Sequence, residues 1–108
     1  MAYDPHLADL MRDALSGRQG VSERRMFGGP CWMLNGNLMC AAREGRFLFR
    51  VGKAAEVELL ERDGVEPMRD TGRRMPGYVW VDADLCLDEG LETWIARSAA
   101  FVGGLRPK

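Results

Sequence analysis

Histidine occurs once in this chain, at His6, and lysine only twice, at Lys53 and Lys108. A hydrolytic triad or a cysteine–histidine pair needs an imidazole held beside its nucleophile. The one imidazole here falls in the first turn of an N-terminal helix, where a surface position is expected. Cysteine is sparse too. Cys31, Cys40 and Cys86 are odd in number, widely spaced and set in strand-like apolar runs. That pattern argues against a disulfide framework and against the closely spaced pairs of a structural zinc site. They read as small buried hydrophobes with reduced thiols, as in a cytoplasmic protein. No apolar run approaches the ~20 residues that span a bilayer, and the N-terminus lacks the basic start and apolar stretch of a signal peptide. Phosphate-binding loop, dinucleotide fingerprint and nucleophile elbow are all missing. No cofactor, metal or catalytic residue is therefore expected. Neither sign of charge prevails: 15 basic against 16 acidic residues leave a net charge of −1. A general polyanion binder derives its affinity from phosphate neutralisation, so direct nucleic-acid binding is disfavoured.

What is present fits one domain over residues 1–108, with 46% hydrophobic and 29% charged residues, the balance of an ordinary folded chain. Asp4-Pro5 starts a helix, since Asp caps free amides and Pro suits the first turn. Leu7, Leu10, Met11, Ala14 and Leu15 then recur at helical spacing until Gly17, giving a helix over about residues 5–16. From Val21 to Val51 the grammar is strands and tight turns. Gly28-Gly29-Pro30 breaks the chain, and Asn35-Gly36 closes a hairpin between residues 31–34 and 38–42. After Glu44-Gly45 comes a strand with Phe47, Phe49 and Val51 on one face and Leu48 and Arg50 on the other. Turns this short join antiparallel neighbours.

Gly52 opens a second helix, about residues 54–62, on which Val57 and Leu60 are expected inward and Glu56, Glu58, Glu61 and Arg62 outward. Residues 66–70 suit a short edge strand because of Pro67 and the charges. Residues 71–77 read as a loop bracketed by Gly72 and Gly77, followed by a strand at residues 78–82. A last helix is expected from Asp88 to Val102, with Leu91, Trp94, Ile95, Ser98, Phe101 and Val102 on its inner stripe. The fold class is α+β: two layers, with an antiparallel sheet of five to six strands flanked by three helices.

Two arginine pairs remain after that assignment: Arg24-Arg25 before Gly28-Gly29, and Arg73-Arg74 before Gly77. A guanidinium fork beside the amides of a glycine turn suits an anion. Pairing with Asp70, Asp82 or Asp84 is the structural alternative. Tyr78 and Trp80 lie on a strand near these turns and could stack a ligand or base, as could Trp32, for which the core is the expected place.

Arg25-Met26-Phe27-Gly28-Gly29, Met33-Leu34-Asn35-Gly36-Asn37, Arg50-Val51-Gly52, Pro67-Met68, Thr71-Gly72-Arg73, Gly77-Tyr78-Val79-Trp80-Val81 and Trp94-Ile95 follow one another in order along essentially the whole chain. This set resembles the N-terminal domain of the TfoX/Sxy family. The resemblance implies a compact domain with an antiparallel sheet flanked by helices. The members that give the family its name are bacterial regulators of natural competence, acting with the cyclic-AMP receptor protein, and carry a second, helix-hairpin-helix-like C-terminal domain. No counterpart of that domain is found before Lys108, so a stand-alone N-terminal domain is expected. The family offers no catalytic residues to carry over. The expected function is a non-enzymatic regulatory or protein-interaction module, a transcriptional accessory whose partners are proteins, the transcription machinery among them. A small anion-binding domain using Arg25, Arg73 and nearby aromatics is the alternative. The strand edge near Pro67 offers a surface for pairing two copies into a homodimer.

Overall fold

The computed structural model describes residues 3–26 and 28–108, so Phe27 of the expected break at Gly28-Gly29 lies outside the described residues. Helix α1 (Pro5–Leu15) begins where expected, with the Asp4 side chain accepting from the His6 amide at 2.8 Å. Its stripe of Leu7, Ala8, Met11 and Leu15 is buried, and His6 is exposed. Strands β1 (Val21–Met26), β2 (Gly29–Leu34), β3 (Asn37–Ala42) and β4 (Arg46–Arg50) follow as an antiparallel meander. Asn35 (φ 54°) and Gly36 (φ 84°) close the β2–β3 hairpin, both in the left-handed region that a tight two-residue turn requires. Helix α2 (Lys53–Leu59) leads to β5 (Val65–Asp70) and β6 (Arg73–Asp82). The six strands lie in the order β1-β2-β3-β4-β6-β5, all pairs antiparallel. The architecture is the two-layer α+β arrangement expected.

Period-two alternation sorts the sheet into two faces. On one, Trp32, Cys40, Phe49 and Val79 stand in register across β2, β3, β4 and β6 and meet the helices in the main core. Trp94 stacks on Phe49 at 5.7 Å, and its indole donates to Glu89 at 3.0 Å. Burying aromatic and branched side chains of this kind contributes about 1.5–3 kcal/mol each. A register shift at Trp32/Met33 puts both Met39 and Cys40 on the helix side. The buried Ser98 hydroxyl then contacts the carbonyls of Met39 (3.0 Å) and Arg50 (2.7 Å), tying the last helix to the bulge.

Several expectations are corrected, and among them Phe101, expected on the inner stripe of the last helix, is exposed. The last helical segment is two helices, α3 (Ala83–Glu89) and α4 (Leu91–Val102), broken at Gly90, whose φ of 104° no helix continues through. Cys86 is therefore helical, and Asp88 lies inside α3 rather than capping a helix. The expected loop over residues 71–77 shrinks to the turn Thr71-Gly72, because Arg73 and Arg74 pair with Asp70 and Arg69 and a register irregularity near Pro67 accommodates Pro76. On α2 the expected phase is wrong: Val57 is 68% exposed while Glu56 is 4% exposed. The Glu56 carboxylate explains the rotation, since it accepts from the buried Gly77 amide at 2.9 Å and from Arg74 at 3.1 Å. No helix among the described residues is long and apolar enough to cross a membrane.

Candidate functional site

Among the described residues no helix packs on the second face of the sheet. A single register row crosses it through all six strands: Arg24, Cys31, Ala41, Leu48, Trp80 and Glu66. Cys31, Ala41, Leu48 and Met68 form a small apolar cluster there, joined by half-buried Met26, Leu38, Met75, Tyr78 and Trp80. Such a centre is apolar enough to lose water on contact. Cations frame it. Arg46 lies over the Trp80 ring at 4.0 Å and Arg50 faces Tyr78 at 5.3 Å, so neighbouring β4 and β6 present two arginine–aromatic pairs on either side of Leu48.

Beneath this face sits Arg43, which is buried. Its Nη1 donates to the carbonyls of Ala42 (2.6 Å) and Pro30 (2.9 Å), and Nη2 to that of Met26 (2.6 Å) and to Cys31 Sγ (3.4 Å). The chain leaves room for it at Gly29, where a β-carbon would stand 2.8 Å from Nη1. Above Arg43, a concavity of about 310 Å³ is floored by Leu48 and Met68 and walled by Arg46, Arg69 and Trp80, with Glu44 and Asp70 on its rim. A second hollow of about 470 Å³ adjoins it and shares Arg46, Arg69 and Trp80. Guanidinium forks, an indole and an apolar floor suit the holding of a partly apolar anionic group. Among the described residues no group of three or more His, Cys, Asp or Glu is placed to hold a metal ion.

The arginines singled out in the sequence do not converge. Arg24 and Arg25 point to opposite faces of β1. Arg24 is exposed at one end of the helix-free row, four strand steps from Trp80, roughly 19 Å across a flat sheet. Arg25 turns to the helix side, where its guanidinium lies 3.3 Å from the Tyr3 hydroxyl. Arg74 pairs with Glu56, not with any of the aspartates considered, and Arg73 is exposed opposite Asp70 at the tip of the β5–β6 hairpin. Three strands separate the two pairs. Trp80 does lie on the candidate face. Gly28 directly precedes β2, whose first residue is Gly29; Gly72 turns the β5–β6 hairpin, and Gly77 lies within β6.

Sequence reasoning missed Arg43, Arg46, Met68 and Arg69. Arg46 carried a signal, since alternation in β4 puts it on the face of Leu48 and Arg50. Arg43 carried a fainter one: it ends an uninterrupted apolar strand, where a cation is out of place unless bonded.

A family model described as TfoX N-terminal domain matches residues 13–102 of the chain. No curated protein and no solved structure matches it at a significant level.

Proposed function

The chain belongs to the TfoX N-terminal domain family, and on that premise we propose that it is a non-enzymatic regulatory module, a transcriptional accessory that works by binding a protein of the transcription machinery through the helix-free face of its sheet. The observation that supports this most is the composition of that face. A half-buried apolar centre of Met26, Leu38, Met75, Tyr78 and Trp80 is set among Arg24, Arg46 and Arg50, while the opposite face is consumed by the core. Interfaces favour this mixture of aromatics, methionine and arginine around a dehydrated centre. The complementary partner surface is an apolar patch bordered by carboxylates. Cytoplasmic localisation and a link to competence regulation are parts of the same proposal.

A nuclease-treated pull-down tests it, comparing wild type with Arg24→Glu/Arg50→Glu on the proposed face and Arg25→Ala on the helix side. Recovery of a transcription regulator or polymerase subunit by wild type and Arg25→Ala, but not by the double variant, is the expected result. Equal recovery by all three removes this face from the contact.

A further inference from the structure

We infer that the concavity above Arg43 is a binding site for a small organic anion, one carboxylate or phosphate head on an apolar body, placed on the helix-free face as an effector site. The inference goes beyond the protein-contact reading and stands on the lining alone.

Its first support is Arg43. A buried guanidinium ordinarily has a carboxylate beside it, because taking a charge out of water is costly without a counter-charge. Here the described bonds go to three main-chain carbonyls and the Cys31 sulfur, and no described ion pair includes it. The carbonyls satisfy donors but cancel no charge. A permanent positive charge is thus fixed in the lining, in a position that Gly29 keeps clear.

The walls supply the second support. Arg46 is held against Trp80 at 4.0 Å, and its contact with Glu66 is a loose 4.0 Å. Arg69 is exposed on β5 opposite another cation, Arg74, which is itself committed to Glu56. Two forks of known position therefore flank the opening, and forks bind carboxylate or phosphate oxygens in pairs.

Size and composition set the ligand class. A volume of about 310 Å³ is at the low end for ligand pockets and suits a small anion, and the adjoining hollow of about 470 Å³ leaves room for its apolar body to extend. Leu48 and Met68, 1% and 4% exposed, give the body of the ligand an apolar seat. Glu44 and Asp70 on the rim repel a second or third negative charge and offer acceptors to a hydroxyl or amine. Three arginines against two carboxylates leave one net positive charge in the lining, the match for a single anionic head.

The test is a titration of the purified chain of residues 1–108 followed by the Trp80 indole resonance in ¹H–¹⁵N spectra, assigned with Trp80→Phe. The probes are benzoate, phenyl phosphate, inorganic phosphate and tripolyphosphate. The expected result is a saturable shift with benzoate or phenyl phosphate, with whichever binds identifying the head group, and binding at least ten-fold weaker for inorganic phosphate. Arg69→Ala, an exposed substitution, should weaken the organic anion at least ten-fold while the melting temperature stays unchanged. Absence of a saturable shift with either organic anion overturns the inference. So does tripolyphosphate binding more tightly than phenyl phosphate, which would reveal general attraction to surface arginines, or an Arg69→Ala variant that binds as well as wild type.

Discussion

The guanidinium of Arg43 occupies the space that a side chain at Gly29 would fill, 2.8 Å from the position of the missing β-carbon. Gly29→Ala should therefore destabilise the protein by about 1–3 kcal/mol, the usual cost of overpacking a filled interior. Gly17→Ala is the contrast, because nothing stands within 4 Å of a β-carbon there. It should be neutral or stabilising by a few tenths to ~1 kcal/mol through the unfolded chain. Urea unfolding of both variants checks this. Combining Gly29→Ala with Arg43→Met should give a non-additive result, with a coupling of ~0.5 kcal/mol or more, since the two residues compete for one space.

Glu56 links α2 to β6 through two bonds of different burial. Glu56→Ala strips the buried Gly77 amide of its acceptor and should cost about 2–3 kcal/mol. Glu56→Gln keeps an acceptor for that amide and loses only the pair with Arg74, whose side chain is 49% exposed, so about 1 kcal/mol or less is expected. Chemical denaturation of the two variants separates the contributions.

Two carboxylates make the fold sensitive to acid. The fork of Arg12 bonds Glu23 at 2.8 Å through both Nε and Nη2 and holds its carboxyl below the ordinary 4.5; a single bond from Arg62 Nη2, with one from the Trp94 indole, lowers Glu89 likewise. A folded-state pKa below the unfolded one gives stability that is present above pH 4.5 and lost as pH falls through the folded value. Melting temperatures should accordingly drop below pH 4.5. The drop should be smaller in Glu23→Gln/Glu89→Gln, and an identical acid limb in that variant would locate the sensitivity elsewhere.

The thiols act at the opposite end of the scale. Burial pushes Cys86 up to about 12 and raises Cys40 further. An unfolded thiol ionises near 9.0, so stability should decline as pH rises past 9 and the unfolded chain gains thiolate that the folded chain refuses. At pH 8 the native protein should resist iodoacetamide at both residues, and both should label fully in denaturant. Mass spectrometry of the labelled peptides gives the answer.

Local chemistry made α1 and the β2–β3 hairpin readable, since Asp4-Pro5, Gly17 and Asn35-Gly36 dictate their conformations over a few residues. The α3 helix was hidden because Asp84-Leu85-Cys86-Leu87-Asp88 has its apolar residues grouped as a strand would, and contacts with β4, β6 and α4 decide its form. Val57 misled the phase of α2 for a similar reason: a β-branched apolar residue looks inward unless a buried amide elsewhere requires a carboxylate. The candidate face was half legible. Alternation gives Leu48, Arg50 and Trp80, and it carries Arg43 onto the face two residues after Ala41, but Arg69 reaches it through a register irregularity that no period predicts.

The strand order has a consequence for the growing chain. β4 is flanked by β3 and β6, yet β6 leaves the ribosome only after α2, β5 and the Thr71-Gly72 turn. At synthesis rates of ~5–20 residues per second, the gap between residues 50 and 82 lasts roughly two to six seconds. Throughout that interval the edge of Phe47, Leu48 and Phe49 has no neighbour, and an open apolar edge is a template for other chains. The newborn protein is most vulnerable to aggregation in that window, and the arrival of Val79, Trp80 and Val81 closes it.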